Sequence, residues 1–282
     1  MKRVITAVVL IAVVFALIYW GDQLALTIFS GLIACLAAYE YCALTRAGHA
    51  PVPVWWMLPA VIIFFLGNFR YPLLLSLPML SALGLILFAY STFWCELSEA
   101  LPIAAAGFFG LIYIAYPLSL IPHIRAMDGG MPLLIFLMLV VWTGDSVALY
   151  VGKAWGKRKM APRLSPGKTW GGAYGSMAGS LLIAILFFLV DMLLSSRGLA
   201  WLHINQPLWM MLIIAALVNA AAQAGDLMES AIKRGSGVKD SGAMLPGHGG
   251  ILDRIDALLV AIPVFWYLLT FVQKDALGLG GL

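Results

Sequence analysis

The chain has 282 residues, of which 63% are hydrophobic and only 11% charged, with a formal net charge of +4. Apolar runs recur along its whole length, each long enough to cross roughly 30 Å of hydrocarbon as a helix, which excludes a water-soluble globule. Nucleic acid is not an expected partner, because the basic residues lie in short loops between those runs.

The opening stretch MKRVITAVVLIAVVFALIYWGD has a basic start and an apolar run, the pattern of a signal peptide. No small-x-small cleavage site follows Trp20 and another apolar run starts almost at once, so it reads as a retained first helix. Spans are expected at about 4–20, 24–45, 52–67, 71–92, 100–121, 131–152, 172–194, 207–232 and 251–272. The fold class is therefore all-α, a polytopic integral membrane bundle of about nine transmembrane helices. Only GNFRYP separates the third span from the fourth, and Pro53, Pro59, Pro72 and Pro78 interrupt them, so a re-entrant pair is the alternative there. Cys35, Cys42 and Cys95 have no metal-ligand spacing and read as packing residues.

With the N-terminus in the cytoplasm, nine spans place 13 Lys and Arg residues on the cytoplasmic side and 4 on the other. That asymmetry obeys the positive-inside rule and puts loops 153–170 and 233–250 on one cytoplasmic face. Residues 1–130 have few charges within their spans, apart from Glu40, and read as scaffold helices. Residues 131–282, with the two basic loops, read as the catalytic region. Glu40 itself stays open between a functional acid and an inward-facing, paired one.

Carboxylates inside membrane helices are the expensive residues, and by default they mark a site or a pair. Asp145 lies within the sixth span, Asp226 and Glu229 end the eighth, and Asp253 and Asp256 begin the ninth. The spacing i, i+3, i+4, i+7 sets Asp226, Glu229, Ser230 and Lys233 on one helix face. Asp253 and Asp256 share a face of the next helix, so two acidic faces are expected to meet near the cytoplasmic surface. A divalent cation would relieve their repulsion, and Mg²⁺ favours a few carboxylates completed by phosphate oxygens. Lys233, Arg234, Lys239 and Arg254 suit anionic oxygens, and the glycines of PGHGG let backbone approach a ligand. Metal, cations and a glycine turn are what phosphoryl or nucleotidyl transfer needs.

The other loop offers PGKT, but a Walker A motif requires glycine where this chain has Pro162. Six cations over residues 153–168 still form a landing site for a triphosphate or a lipid phosphate, although such loops more often only fix topology.

These residues resemble a known family. Ser230-Ala-Ile-Lys233-Arg234, then Lys239-Asp240-Ser-Gly242, then Leu245-Pro246-Gly-His248-Gly249-Gly250-Ile-Leu-Asp253-Arg254-Ile-Asp256 resembles the signature of the phosphatidate cytidylyltransferases, or CDP-diacylglycerol synthases. GDSVALYVGKAWGKRKMAPRLSPGKTWGG is similar to the family's segment ending in Ser-Pro-x-Lys-Thr-Trp, and QAGDLMESAIKR to its Gly-Asp-Leu-x-Glu-Ser run. Many members have Glu after that Trp, where this chain has Gly171. The specific likeness covers about residues 142–256; the first half matches only as a multi-span scaffold.

The resemblance implies transfer of CMP from CTP to phosphatidic acid, giving CDP-diacylglycerol and pyrophosphate, with Mg²⁺ required. It implies Asp226 and Asp253 as metal ligands, with Asp145 and Asp256 as weaker candidates. Lys233, Arg234, Lys239 and Arg254 would hold triphosphate and lipid phosphate. Ser165, Lys168 and Thr169 would complete a phosphate site from the other loop, and His248 would be a polar contact near the reacting groups. Ser230, Asp240, Gly249 and Gly250 fall in the same signature and are expected to line the substrates. Membrane lipids and a second copy of the chain are the implied partners, in a bacterial-type inner membrane with the site on its cytoplasmic face. A cation-coupled transporter is the alternative from another class, but it predicts inverted repeats that the sequence lacks. Another CTP-dependent lipid enzyme is the alternative within enzymes.

Overall fold

Hydrocarbon offers no partner to a backbone N–H or C=O, so an apolar run satisfies these groups internally by becoming a helix. The computed structural model, which describes residues 2–70, 76–244 and 249–276, contains nine helical rods among them. They are α1 (Lys2–Trp20), α2 (Gln23–Ala47), α3 (Val54–Arg70), α4 (Ser76–Trp94), α5 (Leu97–Arg125), α6 (Gly130–Trp155), α7 (Trp170–Ser195), α8 (Leu208–Gly235) and α9 (Leu252–Ala276). Seven, all but α1 and α3, are long and apolar enough to cross a membrane. The break expected around Pro72 lies in 71–75, outside the described residues.

Local chemistry sets several boundaries. Asp22 caps α2 by accepting from the Ala25 N–H at 2.7 Å. Thr169 caps α7 by accepting from the Gly172 N–H at 3.1 Å. Within α5, Leu111–Ala115 form a π-helical turn just before Pro117. A proline ring collides with the carbonyl four residues back and supplies no N–H, and the wider turn accommodates both. Between α6 and α7 an antiparallel hairpin, β1 (Lys159–Ala161) with β2 (Ser165–Thr169), lies within the basic loop expected at 153–170.

The chain forms two compact units: residues 1–123 with 229–256, and residues 124–228 with 257–282. The grouping does not follow chain order. In the first unit Met57, Phe64, Leu87, Ile103, Leu111 and Ile114 are fully buried. Ala34, Ala37 and Ala38 keep one face of α2 small and buried. The Ser91 hydroxyl donates to the Ala100 carbonyl at 2.9 Å and ties α4 to α5.

In the second unit α6 and α7 pack along their length. Gly172, Gly175 and Gly179 recur at three- and four-residue spacing on α7 and lie against Ala148, Val151 and Val147 of α6. Small residues at that spacing let two membrane helices approach closely. A buried network stitches the same region. The Ser180 hydroxyl donates to the Val140 carbonyl at 2.8 Å, and Asn219 Nδ2 donates to the hydroxyls of Ser176 and Ser180, each at 2.8 Å. Gln223 Nε2 donates to Asn219 Oδ1 at 2.6 Å.

Candidate functional site

The signature residues begin where α8 stops. Val238 N–H bonds to the Lys233 carbonyl at 3.0 Å and Gly237 N–H to the Arg234 carbonyl at 3.1 Å, with Gly237 at φ +71°. This is a Schellman motif, in which a left-handed residue closes the helix and turns the chain. The turn leads into Lys239, Asp240 and Ser241, and α9 opens at Leu252.

The first unit holds two carboxylates around one lysine. Lys233 Nζ lies 2.5 Å from Glu229 Oε2, one turn back on α8, and 2.5 Å from Asp253 Oδ1 on α9. Glu229 is fully buried and Asp253 largely so. The other oxygen of Asp253 accepts from the N–H groups of Ser241 at 3.0 Å and Gly250 at 2.9 Å. Gly249, between them in the chain, adopts φ +81°, a conformation that favours glycine. The acidic faces of the eighth and ninth spans thus do meet, at Glu229 and Asp253, and an ammonium joins them. Asp256 is within electrostatic reach of Glu229.

A further carboxylate, Glu40 of α2, enters the same group. It is 2% exposed, and its Oε2 accepts from the Ser241 hydroxyl at 3.0 Å and from the Leu252 N–H at 2.9 Å. A methyl group on Gly242 or on Gly250 would collide with this carboxylate. The close approach that requires glycine at these two positions is therefore an approach to Glu40.

The second unit holds the other group. Lys168 on β2 pairs with Asp226 on α8, Nζ to Oδ2 at 2.6 Å, with both side chains part-exposed. Asp145 on α6 is exposed and within electrostatic reach of both. Thr169 is buried, its hydroxyl oxygen accepting from Gly172, and Ser165 begins β2 half-buried.

Of the remaining expected residues, Arg234, Lys239, Asp240 and Arg254 are exposed and Ser230 is buried. His248 falls in 245–248, outside the described residues. Among the described residues no group of three or more His, Cys, Asp or Glu side chains is placed to hold a metal ion. The sequence alone leaves Glu40 open and gives Ser241 and Glu229 no separate role. The signal was present: an acid in a membrane helix is costly wherever it lies.

Comparison with known proteins extends the resemblance to the whole chain. The model of the cytidylyltransferase family matches residues 1–272. A phosphatidate cytidylyltransferase of Haemophilus influenzae is 31% identical, the alignment covering 96% of this chain and 99% of that protein. Proteins of the same name from Pseudomonas aeruginosa and Bacillus subtilis are 34% and 33% identical, covering 95% of this chain in each case and 96% and 97% of the relatives. With a family match over nearly its full length and seven helices long and apolar enough to cross a membrane, the chain is a multi-pass membrane protein that belongs to the cytidylyltransferase family.

Proposed function

We propose that the chain is a phosphatidate cytidylyltransferase, transferring CMP from CTP to phosphatidic acid to give CDP-diacylglycerol and pyrophosphate. The observation that carries this reading is Lys233, held at 2.5 Å from both Glu229 and Asp253, in a chain similar over nearly its full length to relatives of that name. In the reaction a phosphate oxygen of phosphatidic acid attacks the α-phosphorus of CTP. The bond from that phosphorus to the bridging oxygen breaks, and pyrophosphate leaves with the electron pair. No covalent bond to protein is needed, so the protein's work is positioning and charge stabilisation.

The side chains fit this task. An ammonium has three donors; two of Lys233 face carboxylates, and we assign the third to a substrate phosphate. Lys168 is assigned to the triphosphate in the same way, with Ser165 and Thr169 beside it in sequence. Arg234, Lys239 and Arg254 are exposed, and we assign them to lipid phosphate and triphosphate; Arg234 also donates to the Val238 carbonyl at 3.1 Å. Ser230, Asp240, Gly249, Gly250 and His248 are assigned to the lining of the substrates.

The family resemblance also implies Mg²⁺, which takes hard oxygens, one or two carboxylates, and completes its shell with water and phosphate. Asp226 and Asp253 are the carboxylates we assign to it, with Asp145 and Asp256 as weaker candidates. Bound there, the ion would neutralise charge on the phosphates. The bias of basic loops supports a site on the cytoplasmic face of a bacterial-type inner membrane, with the acyl chains left in lipid. A homodimer is part of the proposal.

The test is purified protein in detergent with phosphatidic acid and CTP labelled at the α-phosphate. Label should enter the lipid fraction with Mg²⁺ and stop on chelation, while pyrophosphate is released in equal amount. Absence of labelled lipid under any divalent cation overturns the reading.

A further inference from the structure

We propose that Glu40, in the second helix, is a positioning residue for the reaction: it holds the signature segment so that Asp253 and Lys233 are correctly aimed. The inference rests on the function proposed above, but its structural half can be tested without turnover.

Two carboxylates grip the same two stretches of backbone. Asp253 Oδ2 takes the N–H groups of Ser241 and Gly250. Glu40 Oε2 takes the Ser241 hydroxyl and the N–H of Leu252, the first residue of α9. Ser241 is thus held from both sides, through its hydroxyl by Glu40 and through its backbone by Asp253. Any shift of Ser241 or of the start of α9 moves the partners of Asp253, and with them the Asp253 contact to Lys233.

Packing alone does not require an acid at this place. The donors are one hydroxyl and one N–H, which a neutral acceptor could satisfy. A carboxylate is retained instead, 2% exposed, with Oε1 lacking a hydrogen-bond partner among the described residues. A charged acceptor makes shorter and stronger hydrogen bonds than a neutral one. It stiffens the segment at two points, and the lack of side chains at Gly242 and Gly250 admits it. The hydrogen bonds of Glu40 go to Ser241 and Leu252, neither of which is assigned to Mg²⁺ or phosphate, so it acts through the segment.

The experiment compares wild type with Glu40→Gln, Glu40→Ala and Ser241→Ala in detergent, by hydrogen–deuterium exchange and by steady-state kinetics. Expected is faster exchange confined to residues 239–256, in the order Ala above Gln above wild type at position 40. The turnover number should fall about 10- to 100-fold in Glu40→Ala, the range for losing hydrogen bonds to a charged group. KM for CTP should stay within about threefold, with Glu40→Gln intermediate. Ser241→Ala removes one donor and keeps the acid buried, so it reports even where Glu40→Ala does not fold. Unchanged exchange in 239–256, or faster exchange spread over the whole chain with turnover per folded molecule unchanged, overturns the proposal. A wild type that makes no CDP-diacylglycerol overturns the assigned reaction, and local exchange still decides whether Glu40 holds the segment.

Discussion

Asn219, Gln223, Ser176 and Ser180 in the second unit form a buried network with no ionisable member. Glu40, Glu229, Lys233 and Asp253 in the first form one of ionisable groups, with Ser241 between Glu40 and Asp253. Both lie in helices or helix ends suited to a membrane, yet they solve different problems. The neutral network satisfies its own donors and glues α6, α7 and α8 at modest cost, because amides and hydroxyls lose little on leaving water when paired. The ionisable one sets two carboxyl groups, Glu229 and Asp253, against one ammonium, with a third acid, Glu40, bonded to Ser241 beside Asp253. Such an excess of acid is a poor adhesive, since buried ion pairs seldom repay their desolvation. An acid excess of this kind repels phosphate unless a cation stands between them, which is the part proposed above for Mg²⁺.

The contrast can be broken by mutation. The largest effect is expected from Asp226→Asn and Asp253→Asn, each lowering turnover by at least roughly a thousandfold, as loss of a metal ligand would. Incorporation of labelled CMP into lipid measures this. The two should differ in stability, because Asp253 also holds two backbone N–H groups whereas Asp226 is part-exposed and pairs with Lys168. A thermal melt in detergent should shift downward for Asp253→Asn alone.

Lys233→Met leaves Glu229 and Asp253 facing each other without their cation. A loss of about 3–5 kcal/mol is expected from such an uncompensated pair, read by reversible unfolding in mixed micelles. Adding Glu229→Gln should recover part of that stability and none of the activity. Recovery of both would mean that the lysine serves packing only.

Lys168→Ala should hardly alter stability, within about 1 kcal/mol, because the ion pair is part-exposed and screened. Its kcat/KM for CTP should still fall about tenfold if the ammonium meets the triphosphate. The smallest effect is expected from Asn219→Leu, a destabilisation of about 1 kcal/mol for interhelical hydrogen bonds within a membrane protein. Turnover per folded molecule should be unchanged, and a large loss of turnover would erase the distinction between the two networks.

Much of the architecture was legible before folding was considered. The runs expected at 131–152 and 207–232 became helices at Gly130–Trp155 and Leu208–Gly235, and the run at 100–121 widened to Leu97–Arg125. The hairpin at 159–169 was not legible. Its strands have three and five residues, include Pro and Gly, and show no alternation that would point to a buried face. Nor could spacing say that Lys233 would sit between Glu229 and Asp253. Periodicity placed Glu229 and Lys233 on one face but left open what the next helix would bring to it.

Where apolar segments begin and end is a local matter, because a helix satisfies its own backbone within four residues and hydrocarbon leaves no other option. The chemical inventory was local too, as the Lys, Asp and Gly residues of 230–256 carry the family signature in one stretch. Folding alone could join Glu40 to Ser241 across 201 positions, and gather residues 229–256 with residues 1–123 rather than with their neighbours in the chain. Those pairings depend on which helix faces meet, and no stretch of chain encodes that by itself. The physical reason is the one that makes the contact informative: a buried carboxylate needs donors, and here the donors come from the far end of the sequence.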